Sequence, residues 1–265
     1  MKRVKKEETA VTEMTKVTEF KGLALQLASA PVENEKKEYD DMPWLGFFSQ
    51  KSTRAREIMT DLANVEEGDP FLATGGRYYD AKSWKFMSLG EFRYWGSIEN
   101  VNGKWEMTEV SLVPKDGLKA NVLCVLLHVP GDKDELPEGL KPAAVSLSTF
   151  RSPKIPALDG YLKGVEYTET SEWVQQGTNG AIAATTPPRF RVASTLRVES
   201  ITSRKGYVYQ RATADTATVG MTQLQSVIEW FESERCQADL SRAHALFEAK
   251  KAELTVMSEK EPQTT

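Results

Sequence analysis

The chain has 265 residues, 40% of them hydrophobic and 27% charged, with 34 Lys and Arg against 38 Asp and Glu. A formal charge of -4 excludes a module that holds nucleic acid by bulk positive charge, while the length suffices to bury a substantial core. No run of residues approaches the roughly 20 apolar positions of a membrane-spanning helix, and the basic start MKRVKK passes into Glu and Thr instead of an apolar segment. A soluble, cytoplasmic protein without a membrane partner is therefore expected.

Taken in chain order, residues 1-41 are rich in Lys, Glu and Thr and predict a disordered or partly ordered arm. Met42-Pro43-Trp44-Leu45-Gly46-Phe47-Phe48 opens a folded β-rich domain running to residue 220. Ile58, Leu62 and Val65 are spaced for a short helix within 53-65. From Phe71 to Val129 the pattern changes to short aromatic and β-branched runs broken by Gly, Asn and Asp. These predict strands, with hairpin turns at Gly75-Gly76 and Asn102-Gly103. Leu118 to Val129 is apolar at nearly every position, as a strand covered on both faces should be. Pro142 to Phe150 predicts another strand, and Ile155, Leu158, Leu162 and Val165 predict a helix with Pro156 in its first turn.

Arg189 to Ile201 and Gly206 to Val219 form the clearest strand pair, joined by the turn Ser203-Arg204-Lys205-Gly206. From Thr222 to Leu254 the apolar period is helical, and 255-265 reads as a frayed tail. The order predicts an α+β fold. Its expected architecture is a small, partly open antiparallel β-barrel of the oligonucleotide-binding type, flanked by an N-terminal helix and by C-terminal helices in 221-254.

Residues with chemical potential are sparse. Cys124 and Cys236 sit far apart without a CxxC pattern, which argues against a disulfide framework or a zinc site. His128 and His244 lack a partner at recognisable spacing, so neither is expected to act as a base. Asp132, Asp134 and Glu135 do not follow a calcium-loop spacing, and no phosphate-cradling glycine motif is present. The expectation is a protein that is not an enzyme and needs no cofactor or metal.

The affirmative signal is aromatic residues interleaved with cations. Eight aromatics and five basic residues fall between Arg77 and Trp105, including Arg77, Trp84, Lys85, Arg93 and Trp95. Base stacking on an aromatic face contributes about 1-3 kcal/mol per base, and phosphates need positive partners. Strand alternation leaves at most half of these rings exposed, with the rest filling a β core. A second patch joins Phe150, Arg151 and Lys154 to Lys163. The third is the 189-211 hairpin, with six cations against Glu199 alone. In an unbulged strand Arg189, Arg191 and Arg197 share one face, opposite Phe190, Val192, Leu196 and Val198. Arg204 and Lys205 stand at the tip, followed by Tyr207 and Tyr209.

The segments MPWLGFFSQKS, GDPFL, PAAVSLSTFRSPK and PPRFRVASTLRVES, spread over roughly residues 42-250, resemble single-stranded DNA-binding proteins encoded by phages and mobile elements. The resemblance implies protection of single-stranded DNA intermediates in replication or recombination, with RNA as the other polymer the same contacts accept. It further implies contacts from Phe150, Arg151 and Lys154 at a strand end and from Arg197, Arg204 and Tyr207 on a hairpin. Replication or recombination proteins and a second copy of the chain are the additional partners it suggests. The chain departs from many such proteins at its C-terminus, where SEKEPQTT is only slightly acidic and has no apolar tip. The alternative is a non-catalytic phage or mobile-element structural or interaction protein, binding protein through its β face and C-terminal helices.

Overall fold

The computed structural model describes residues 42-101, 104-129, 143-170, 188-190, 192-219 and 233-259. The arm 1-41, the Asp132, Asp134 and Glu135 loop, Arg191, and the first part of the C-terminal helical stretch lie outside them.

The described chain is α+β, with two antiparallel sheets. The smaller contains β1 (Trp44–Phe47), β2 (Pro70–Thr74) and β3 (Arg77–Asp80), in that order, with Gly75 and Gly76 at the β2-β3 turn. Helix α1 (Ala55–Asp61) is shorter than its apolar spacing predicts and buries only Ile58. Ile58 joins Phe48, Phe71, Ala73 and Tyr78 in a minor core. There Phe71 meets Trp44 and Tyr78 edge-on, at centroid distances of 5.3 and 5.5 Å.

The larger sheet has six strands and is built around β4 (Lys85–Val101). One edge of β4 pairs with β6 (Lys119–Val129), which pairs in turn with β7 (Ala144–Arg151). The other edge is shared. Its start pairs with β8 (Val192–Thr202) through Lys85↔Thr195 and Phe86↔Ser194, and its end pairs with β5 (Lys104–Ser111). β9 (Val208–Thr218) pairs along the whole of β8. Among the described residues the sheets are not closed into a barrel. The sequence expectation of short separate strands here is met instead by one long strand with a β-bulge.

The bulge lies between Ser88 and Gly90, where the β6 partners step from Leu126 to Val125 and Leu89 falls outside the register. That extra residue reverses side-chain parity along β4. Phe86 is paired with His128 and Phe92 with Leu123, so the two rings lie on opposite faces despite both being even-numbered.

Each face has its own cover. On one, helix α2 (Ile155–Thr170) places Tyr161 5.7 Å from Phe86, and Phe47 of β1 meets Phe150. α2 extends past Val165, where the apolar spacing ends, and its glycines let it approach β9. A Cβ at Gly164 would stand only 2.5 Å from Thr216 Cγ2. On the other face, helix α3 (Glu234–Glu259) buries Cys236, Leu240, Ala243, Leu246, Phe247 and Leu254. Its helical residues 255-259 correct the expectation that the tail frays from 255. β6 therefore has eight successive buried residues, Asn121 to His128, as its continuous apolar sequence requires. The small sheet is tied to β7 by Leu45 N–H donating to Ser148 Oγ at 2.8 Å and Leu147 N–H donating to the Pro43 carbonyl at 3.2 Å.

Candidate nucleic-acid interface

The outer half of the β8-β9 hairpin extends beyond the covered part of the sheet. In its register, even-numbered residues share one face and odd-numbered residues the other. The even face is covered near its root, where Leu196 and Ala212 are buried. Farther out, the Gly68 turn lies against Val198 and Gln210. The odd face exposes Arg197, Glu199, Tyr209, Arg211 and Asp215. At the tip, Ser203 N–H donates to the Tyr207 carbonyl and Gly206 N–H to the Ser203 carbonyl, with Gly206 at φ +81. A side chain there would be strained, so glycine fits the turn. Beside it Arg204 and Lys205 are exposed, Tyr207 is 72% exposed and Val208 67% exposed.

The expected cationic stripe is not continuous. Arg189 belongs to a 3-10 turn, Pro188–Phe190, and not to the strand, which begins at Val192. Its guanidinium turns inward, donating to both oxygens of Glu91 and to the Ser88 carbonyl at 3.0 Å. It thereby caps β4 beside the bulge, between β8 and β5. Arg197 does occupy the exposed face opposite Leu196 and Val198, but it pairs with Asp215. Arg211 stands directly across from Glu199. The net positive part of the hairpin is thus its tip. The sequence signal that marked this was available: from Ser200 to Ala214 there are three cations, two tyrosines and no acid.

A smaller patch forms where β4 meets α2. Arg93 donates to Asp159 at 2.8 Å, and Lys163 is exposed one helical turn beyond Asp159. Trp95 is partly exposed two residues along β4 from Arg93, on the same face. Asp159 and Glu91 were not anticipated as partners of these cations, because both pairings are long-range in sequence.

Two proposed stacking rings are corrected. Trp84 is 2% exposed and Phe150 1% exposed, so neither presents a face to solvent. Trp84 lies against His128 at a centroid distance of 6.5 Å, and Phe150 lies between Phe47 and Phe86. Both rings fill the space under the second layer. Phe92 and Tyr94 stack at 6.3 Å on the α3 side, and burial raises the Tyr94 hydroxyl pKa. The aromatic β face of the alternative interaction-protein reading is therefore largely covered.

Lys154 is not the exposed phosphate contact the sequence suggested. Its ammonium lies 4.5 Å from the centre of the Phe47 ring and has no hydrogen-bond partner among the described residues. Burial lowers its pKa to about 8, with Glu67 opposing the shift. Arg151 is exposed at the end of β7, near the buried Tyr94. Arg77 is exposed at the β2-β3 hairpin end of the smaller sheet, and Lys85 is partly buried in β4. The candidate residues thus divide into a hairpin tip, a β4-α2 patch, cations scattered outside both and core rings.

His128 is also buried. Its Nε2 lies 2.7 Å from Ser146 Oγ, which is 3.1 Å from Ser148 Oγ, and burial lowers the imidazole pKa to about 3. The chain of polar groups ends at the Leu45 amide, tying the two sheets together. His244 is partly buried on α3. No group of three or more His, Cys, Asp and Glu suited to a metal occurs among the described residues, and no described helix is long and apolar enough to cross a membrane.

Comparison with known protein families, with curated proteins and with solved structures finds no match to this chain.

Proposed function

We propose that the chain binds single-stranded DNA, with the β8-β9 tip as its principal contact and the protection of replication or recombination intermediates as its role. The observation that carries this reading is the acid-free run Ser200 to Ala214, whose turn holds two exposed cations followed by two exposed tyrosines. Phosphates are attracted to Arg204 and Lys205, while bases stack on Tyr207 and Tyr209. Such contacts tolerate any sequence because every base has a π face. Arg93, Trp95 and Lys163 provide a second, weaker contact, since Asp159 already neutralises part of its charge. In this reading the open six-stranded sheet serves as the platform that an oligonucleotide-binding-type barrel would supply. RNA would be accepted by the same chemistry.

The test is a fluorescence titration with labelled oligothymidine at two salt concentrations. Binding weakens as salt rises, because neutralising phosphates releases counterions. Replacing both Arg204→Glu and Lys205→Glu weakens binding at low salt and leaves the thermal midpoint nearly unchanged. Tyr207→Ala costs about 1-3 kcal/mol of binding if one base stacks there. Absence of binding at low salt overturns the proposal, and binding unaffected by the double substitution moves the site off the tip.

A further inference from the structure

We infer that Tyr207 and Tyr209 form a slot for one nucleobase, so that the ligand of the hairpin tip is a single unstacked nucleotide and not a run of bases. The inference rests on the reading of the tip as a nucleic-acid contact and adds what that contact holds. Antiparallel pairing is kept up to the turn. Tyr209 stands across from Ile201 and Val208 from Thr202, and the Tyr207 carbonyl accepts from Ser203 N–H. Tyr207 N–H donates to Ser203 Oγ at 3.0 Å, which fixes this residue at the end of the ladder. Tyr207 and Tyr209 therefore share the odd face. Val208 between them projects from the even face, so it does not fill the space between the rings.

Same-face neighbours on a strand are about 6.8 Å apart, twice the rise per residue. A flat base held between two rings needs two contacts of about 3.5 Å, or about 7 Å in all. The strand period thus matches the thickness of one base and excludes two. Phe92 and Tyr94 show the orientation that such a pair adopts in this chain. They too are two positions apart on one face of a strand, and their rings stand 6.3 Å apart with planes 23° from parallel. That pair lies on the α3 side with Tyr94 buried, whereas Tyr207 and Tyr209 are 72% and 41% exposed.

Charge is arranged at both ends of the slot. Beyond Tyr207 lies the turn with Arg204 and Lys205, and beyond Tyr209 the next residue on the same face is Arg211, all three exposed. A nucleotide whose base enters between the rings directs its two flanking phosphates toward those ends. Arg204 and Lys205 hold one of them within the acid-free run. Arg211 holds the other more weakly, because Glu199 stands across from it. Stacking uses only the π faces, so any base is accepted.

The experiment is an anisotropy titration at low salt with three labelled probes of equal length. These are oligothymidine, a chain made wholly of abasic residues, and that abasic chain with one central thymine. The single thymine is expected to tighten binding about 5- to 150-fold over the abasic chain, the equivalent of one stacked base. Tyr207→Ala and Tyr209→Ala should each remove most of that gain, because one base uses both rings, and Phe at either position should keep it. Affinity for the wholly abasic chain should stay at the native value, which also shows that the variants are folded. If the rings held separate bases, the thymine could move to whichever ring remained, and only the double substitution would abolish the gain. That result overturns the slot and leaves the tip as the DNA contact. A single thymine that adds nothing while oligothymidine binds overturns the slot in the same way, as does a gain that survives the double substitution. A native chain that binds none of the probes overturns the reading of the tip, and the slot with it.

Discussion

At the entry to β4, along β4 and at the end of β7, Trp84, Phe86, Phe92, Tyr94 and Phe150 alternate with Lys85, Arg93 and Arg151. In the outer hairpin, Tyr207 and Tyr209 stand beside Arg204 and Lys205. The two regions use the same residue types, yet the central rings are mostly covered and the hairpin tyrosines are open to solvent. The difference comes from the second layer. α2 and β1 cover one face of the central strands and α3 the other, whereas the hairpin outgrows its cover beyond Val198 and Gln210. Aromatic density therefore marks a packed sheet, and the place where cover ends marks an available surface.

The strongest way to break this comparison is to truncate a central ring. Phe86 is 1% exposed and touches the Phe150 and Tyr161 rings. Phe86→Ala is expected to lower stability by about 3-5 kcal/mol in urea unfolding, through lost transfer free energy and a residual cavity. A cost near that of a surface substitution would remove the distinction between the regions.

Next is the fork that closes the β4 edge. Glu91 is largely buried and both its oxygens accept from Arg189. Arg189→Ala strands that carboxylate and leaves the Ser88 carbonyl only the Tyr161 hydroxyl at 3.5 Å, and should cost about 2 kcal/mol in the same measurement. An unchanged midpoint would show that water or another donor serves this edge equally well.

A smaller, pH-dependent effect comes from His128. Its folded pKa is about 3, against an ordinary value of 6.5, so the folded protein holds a neutral imidazole. Between those values the unfolded chain binds a proton that the folded chain does not, and stability falls as pH drops from 6.5 toward 3. His128→Gln, which keeps a group able to bond Ser146, should flatten that part of the midpoint-pH curve. Equal acid slopes in the two proteins would rule out His128 as its source.

The smallest effect is expected on the exposed hairpin face. Arg197→Ala breaks an ion pair with both side chains more than half exposed, and should change stability by less than about 1 kcal/mol. A larger loss would mean that the outer hairpin is as integral to the fold as β6.

Much of the fold was legible where local pattern and tertiary environment agree. The apolar run after Leu118 became a buried central strand, and the Gly75-Gly76 and Ser203-Gly206 turns joined their predicted strands. The tip residues were legible for the same reason, since the turn's own hydrogen bonds place them. Arg189 was misplaced because its partner, Glu91, is distant in sequence and pulls it inward from a short turn. Trp84 and Phe150 were indistinguishable from surface rings, because alternation identifies two faces without saying which is covered. Nor could alternation register the bulge at residue 89, which puts Phe86 and Phe92 on opposite sides. The α+β class with antiparallel sheets was legible, whereas the order of strands within the larger sheet reflects pairings between segments distant in sequence.

The bulge also sets where this protein can change length. Deleting Leu89 would restore simple alternation and rotate one half of β4 against the other, moving either Phe86 away from Tyr161 or Phe92 away from α3. Lengthening the turn between Ser203 and Tyr207 alters no such alignment, because among the described residues no strand follows that turn except its own return. Gains and losses of single residues across related chains are thus expected to collect at the tip and to be absent from residues 85-96, however freely individual side chains there are exchanged.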